Sequence, residues 1–129
     1  MIHDRHFTVA EANSLLAHLE EVLGELRDAR DRLTDAELHE ILSGAAPANG
    51  GGQPGRDVGE AFLRVRGLLM GLQEAGLIVR DIDRGLVDFP AVRDGREVYL
   101  CWQGGEEEVR FWHELEGGFG NRHPLHPDG

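Results

Sequence analysis

The chain has 129 residues, 13 basic and 24 acidic, a formal charge of −11, and one cysteine. That length fits one domain with one core. The acidic balance repels phosphate backbones and anionic membranes, and no basic patch relieves it, since Arg27, Arg30 and Arg32 alternate with Glu25, Asp28 and Asp31. No nucleic-acid or membrane partner is therefore expected. A single thiol, Cys101, excludes an intramolecular disulfide and a multi-cysteine zinc site. The opening Met1 to His6 lacks a basic segment followed by an apolar run, and no stretch nears the roughly 20 apolar residues of a membrane span. The expectation is a soluble cytoplasmic protein.

Thr8 and Glu11 form a capping box, with Phe7 placed to staple onto Ala12. Leu16, Leu19, Leu23, Leu26 and Leu33 follow at three- and four-residue steps with Arg30 the one polar interruption, and Ala12, Leu15, Val22 and Ala29 widen the stripe, which predicts a helix over 9–42. His39 beside Glu37 and Glu40 suits a helix C-terminus and needs no further role. Residues 43–55 hold five glycines and two prolines and predict a linker. Gly50, Gly51 and Gly52 are no phosphate loop, because a helix precedes them and no Lys-Ser or Lys-Thr follows. A second helix over 57–75 starts from Asp57 as its cap and carries Val58, Ala61, Phe62, Val65, Leu68, Leu69, Leu72 and Ala75 as its apolar stripe, with Gly76 closing it. Met70 reads as filler or a surface neighbour.

After Gly76 the apolar period changes from 3.6 to 2, predicting a β-meander over 77–113. Strands are expected over 77–83, 86–92, 96–102 and 107–113, with Asp94-Gly95 as a two-residue hairpin turn. Pro90 points to an edge position or a bulge. The expected fold is α+β: a long antiparallel helical hairpin packed on a small antiparallel β-meander of three to four strands, followed by an extended tail over 117–129. His123 and His126 in that tail have a chelating spacing, but the two flanking prolines favour loose extended chain.

With Asp94-Gly95 as the turn, Val92 lies opposite Glu97, Phe89 opposite Leu100 and Asp88 opposite Cys101. With a four-residue loop over 103–106, Leu100 faces Val109 and Glu97 faces Trp112. Alternation then gathers Val87, Phe89, Ala91, Val98, Leu100, Trp102, Val109, Phe111 and His113 on an apolar face. The other face carries Asp88, Glu97, Tyr99, Cys101, Glu108, Arg110 and Trp112. Asp88, Glu97, Tyr99, Arg110 and Trp112 form the candidate functional surface, which can be a solvated sheet face, a protein interface, or a small-ligand or metal site. This register puts His113 opposite Asp88 and Glu97 unless a bulge reverses it.

His113, Glu114 and Glu116 place an imidazole beside two carboxylates, a donor set for zinc, iron or manganese; Glu97, Asp88, His3 or His6 are further possible donors. Against this stands a satisfied core histidine. Cys101 is a poor nucleophile, since acidic neighbours disfavour its thiolate. Ser14 and Ser43 lack a histidine and acid at motif spacing, and acids are too numerous for paired-carboxylate hydrolysis to be read from them.

The runs from Gly85 to Ala91, from Arg93 to Glu106 and from Phe111 to Phe119, with the opening Phe7 to Leu16, resemble the bacterial family known as domain of unknown function 2203. The resemblance implies a small cytosolic protein with no established activity. It directs attention to Asp88, Arg93, Glu97, His113, Glu114, Glu116 and Arg122. Function is expected to be that of a non-enzymatic interaction or structural module, forming a homodimer and needing no cofactor. The alternative is a protein that binds a divalent metal through His113 with Glu114 or Glu116.

Overall fold

A computed structural model of the protein describes residues 1–33 and 54–125. The expected helix over 34–42, the linker over 43–53, the triple glycine, His39 and His126 lie outside the described residues.

The capping box forms as expected: the Thr8 hydroxyl accepts from the Glu11 amide at 3.1 Å and the Thr8 amide donates to the Glu11 carboxylate at 3.0 Å. It opens α1 (Val9–Ser14), with Phe7 and Ala12 both buried. The helix is then interrupted. Ser14 turns its hydroxyl back onto the Glu11 carbonyl at 2.6 Å, a bond that competes with the helical ladder, and Leu15 separates α1 from α2 (Leu16–Arg30). α2 buries Leu16, Leu19, Val22, Leu23, Leu26 and Ala29, the stripe read from the sequence. Arg30, its one polar interruption, turns away to pair with Asp31 and Asp83.

α3 (Pro54–Glu74) starts three residues earlier than expected, at a proline whose missing N–H is harmless in a first turn, so Asp57 lies within the helix. Ala61, Phe62, Val65 and Leu72 are buried. Gly76, at φ +93°, ends the helix: the Leu77 amide donates to the Leu72 carbonyl and the Gly76 amide to that of Gln73. α3 packs beside α2, with Arg64 bonded to Glu25 at 2.9 Å. A long helical hairpin is not shown among the described residues: the first of its two expected helices is split at Leu15 into α1 and α2, each shorter than the apolar stripe suggested.

Five strands form one antiparallel meander in sequence order: β1 (Ile78–Asp81), β2 (Leu86–Arg93), β3 (Arg96–Gln103), β4 (Phe111–Glu114) and β5 (His123–Pro124). The β2–β3 pairing is the expected one, with Val92 opposite Glu97, Phe89 opposite Leu100 and Asp88 opposite Cys101. Asp94 and Gly95 both adopt positive φ at the turn. β1 reaches no further along β2 than Asp88. Beyond it the Phe7 amide donates to the Pro90 carbonyl at 2.7 Å, so Pro90 sits on an open edge where its missing N–H breaks no ladder bond. Val87, Phe89, Ala91, Val98, Leu100 and Trp102 form one core with the leucines of α2 and with Phe62 and Val65 of α3.

The β3–β4 register differs from expectation. Leu100 meets Trp112 instead of Val109, and Tyr99 meets His113. The chain between the strands is longer than four residues because Val109 is an anchor of the loop and not part of a strand. It is buried, and its amide donates to the Asn13 side chain at 2.7 Å. An offset of an odd number of residues exchanges the faces of β4, so His113 leaves the helix-facing side and Trp112 joins it, packed against the core. The tail also has more structure than expected: a 3-10 turn over Phe119–Asn121, then β5, then the buried Leu125, whose amide donates to the Arg110 carbonyl.

Candidate functional site

The exchanged register places His113 beside Asp88. Both are buried, at 2% and 1% exposure, on the face of the sheet turned away from the helices. His113 Nε2 lies 3.1 Å from Asp88 Oδ1, and its Nδ1 lies 2.7 Å from the Glu114 carbonyl oxygen. A carbonyl oxygen only accepts, so Nδ1 carries the hydrogen and points Nε2 at Asp88. Asp88 Oδ2 accepts from Arg80 Nε at 2.9 Å. A lone pair on Nε2 and one on Oδ1 repel at this separation. A proton, on either group, or a metal ion bridges them.

Cys101 completes the cluster. Directly across from Asp88 on β3, it is 1% exposed, and its Sγ, an Asp88 oxygen and a His113 nitrogen all lie within 4.8 Å of one another. Burial and then the Asp88 charge push the thiol from 9.0 up to about 12. The three side chains face a cavity of about 270 Å³ bounded also by Arg80, Leu115, the Gly117–Gly118 pair and Phe119. Gly117 lets the loop fold back closely, since a Cβ there would stand 3.3 Å from the Glu114 carbonyl and 3.4 Å from His113 Cβ.

Glu97 and Tyr99 lie on the same face but under the N-terminal arm. The Ile2 and His3 amides donate to the Glu97 carboxylate at 2.9 and 3.0 Å, His6 Nε2 meets it at 2.7 Å, and His3 Nε2 meets the Tyr99 hydroxyl at 2.7 Å. Burial raises the Glu97 pKa, yet the bonds from His6, Ile2 and His3 outweigh it and hold the group at about 2 instead of 4.5. Tyr99 is 5% exposed, and Arg80 stacks over its ring at 5.2 Å.

The remaining candidates do not join the cluster. Arg110 is exposed and pairs with Glu108. Trp112 stacks on His123 at 4.7 Å and under Arg93 at 5.1 Å, on the other side of the sheet from His113. The Glu114 carboxylate bonds His123 Nε2 at 3.2 Å, and its contribution to the His113 ring is its backbone carbonyl. Glu116 is exposed. Arg122 donates from Nη2 to both Glu106 oxygens and lies over the Phe111 ring at 3.9 Å. Two members of the cluster escaped the sequence reading. Cys101 carries no motif spacing that marks it as a ligand, and Arg80 is legible only through alternation from the inward Val79, which puts it outward, next to a bulge between Val79 and Asp81.

The fold and this cluster define an α+β protein with a five-stranded antiparallel meander, helices on one face and a buried polar cluster on the other. The chain belongs to the family described as "Uncharacterized conserved protein (DUF2203)", whose model matches residues 5–125 and agrees with the resemblance read from the strand motifs. No curated protein and no solved structure matches it. Among the described residues, no helix is long and apolar enough to cross a membrane.

Proposed function

We propose that the protein binds one divalent metal ion, zinc in the first instance, through Asp88, Cys101 and His113. The observation that carries this reading is the convergence of three buried donor atoms within 4.8 Å at a cavity wall. Tetrahedral ligands about 2.0–2.3 Å from zinc stand roughly 3.3–3.6 Å apart, so the longest separation has to close by only about an ångström. The outer contacts suit it as well: the Glu114 carbonyl fixes the His113 tautomer and Arg80 fixes the Asp88 rotamer. A thiolate beside imidazole and carboxylate favours zinc or iron over manganese. Three protein donors leave a fourth position for water or a ligand. A reducing cytosol, in which Cys101 stays a thiol, suits such a site.

Elemental analysis of untagged protein tests the reading. The expected result is about one zinc per chain, lost in His113→Ala and Asp88→Ala and retained in Glu114→Gln and Glu116→Gln. Protein that holds no metal and shows no thermal shift with zinc or iron(II) overturns it.

The interaction-module reading draws support from a different surface. On α3, Leu63 and Met70 are 65% and 45% exposed and seven residues apart, which puts two large apolar side chains on one stripe. Homodimerisation through this stripe predicts a dimer in sedimentation that Leu63→Glu converts to monomer; a monomeric wild type rejects it.

A further inference from the structure

The cavity beside Asp88, Cys101 and His113 has one charged wall and one apolar wall. On the charged side is Arg80, of which only Nε is used, toward Asp88; its two terminal nitrogens have no hydrogen-bond partner among the described residues, and the side chain is 44% exposed. Arg80 is also held in place by stacking over Tyr99. On the other side Phe119 carries two more guanidinium groups near its ring, Arg84 at 4.4 Å and Arg122 at 4.6 Å. The carboxylates set against these three cations are Asp88, bonded to Arg80, and Glu106, bonded to Arg122. Arg122 Nε is buried with no acceptor among the described residues, a donor awaiting an oxygen that they do not supply. In a chain of net charge −11, Arg80 lines this cavity and two further arginines stack on the Phe119 that lines it. Leu86, Leu115 and Phe119 give the rest of the lining an apolar character.

We infer that this cavity binds a small organic acid, its oxyanion group held by the free edge of Arg80, and its short apolar body laid against Leu115 and against Phe119, on whose ring Arg84 stacks. The inference rests on the reading of this cavity as the functional site and names the ligand that would share it with the metal. The planar fork of a guanidinium matches carboxylate and phosphate alike. A volume of about 270 Å³ lies just below the usual range of ligand sites and limits the ligand to a few carbons beyond its acidic group. Arginine supplies the charge permanently, so binding does not require the metal to be present.

Amide proton–nitrogen NMR spectra of the full chain, stripped of metal, provide the test, with butyrate, butyl phosphate and neutral butanol as probes. Saturable shifts at the Gly117, Gly118 and Phe119 amides are expected with an acid and not with butanol. Stronger binding of butyrate assigns the group as carboxylate, and stronger binding of butyl phosphate as phosphate. Loss of a charge-assisted contact weakens binding by about tenfold or more, and Arg80→Gln should do so; Arg84→Gln should weaken it as well. Arg84→Gln is the safeguard, since Arg84 stacks on Phe119 and leaves the Asp88 bond alone. Equal binding of butanol, unchanged affinity in both variants, or no saturable shift with either acid overturns the inference. Because the titration uses metal-free protein, its failure leaves the metal reading to be decided by elemental analysis, and a failure there leaves the titration readable.

Discussion

His113 and Asp88, 25 residues apart in sequence and on strands that flank β3 from opposite sides, meet at 3.1 Å beneath the sheet surface with their other polar atoms already engaged. Each has one partner that fixes its direction, the Glu114 carbonyl for the imidazole and Arg80 for the carboxylate. Structural packing alone does not call for this arrangement. A buried ion pair is weak evidence for stability, since an apolar pair of similar volume often does as well.

Removing one partner should expose that cost. Asp88→Asn leaves Arg80 without a counter-charge and presents His113 Nε2 with an amide in place of a carboxylate. Unfolding by denaturant should show a loss of about 1–3 kcal/mol. Glu116→Gln, at an exposed position, should stay within about 0.5 kcal/mol of wild type. An Asp88→Asn variant as stable as the wild type would mean that the pair carries no buried charge.

Cys101 gives a second, chemical readout. Its thiol is held up near 12, first by burial and then by Asp88, so metal-free native protein should resist iodoacetamide at pH 8 and react fully once unfolded. The sign for stability follows: a thiol raised from 9.0 keeps its proton in the folded state, and the stabilisation, complete below pH 9, should fall as pH rises toward 12. Cobalt(II) added to metal-free protein should displace that proton and produce a thiolate-to-metal charge-transfer band, absent in Cys101→Ser. Ready alkylation of the folded chain would contradict the burial.

Sequence reading reached most of the sheet and about half of the site. The Asp94-Gly95 signal fixes the β2–β3 register because a two-residue turn leaves no freedom of pairing, and that pairing alone sets Asp88 opposite Cys101. No comparable signal fixes β4. The residues from Gly104 to Arg110 are held by one local bond, the Trp102 indole on the Glu106 carbonyl, and by two distant partners, with the Gly105 amide on the Glu20 carboxylate and the Val109 amide on Asn13. Both distant partners come from the helices, which local periodicity cannot anticipate. The alternation Val109, Phe111, His113 therefore suggested a strand face that does not exist, and it placed His113 on the wrong side. The break at Leu15 has the same character, since the apolar stripe runs through it unchanged.

Glycine geometry provides a further test of the fold. Gly85 and Gly95 both have positive φ, +65° and +76°. A Cβ at Gly95 would meet nothing within 4 Å, whereas at Gly85 it would lie 3.2 Å from the Gly104 backbone and 3.0 Å from Arg27 Nη2. Gly95→Ala should cost about 1–2 kcal/mol from the left-handed conformation alone. Gly85→Ala should cost more, because Arg27 can move but the Gly104 backbone, bonded from its amide to the Gly85 carbonyl at 2.9 Å, cannot easily do so. Thermal unfolding of the two variants should rank them in that order, and equal losses would place the β1–β2 turn farther from the β3–β4 loop.

The N-terminal arm should respond to acid through Glu97. Its carboxyl is held at about 2 against an ordinary 4.5: burial acts to raise it, and the bonds from His6 and from the Ile2 and His3 amides more than offset that. A folded-state value below the unfolded one means that ionised Glu97 stabilises the folded chain, fully above pH 4.5 and progressively less as pH falls toward 2. Amide exchange at Ile2 and His3 should accelerate across that window, and the His3 contact to Tyr99 should loosen with it, since His3 is anchored to Glu97 through its own amide. Glu97→Gln removes the charge at every pH. It should free the arm at neutral pH and flatten the acid response, while the hydrogen bond between His113 and Asp88, which Glu97 does not touch, persists. An arm that stays protected in Glu97→Gln would assign its attachment to the bond from the Phe7 amide to the Pro90 carbonyl instead.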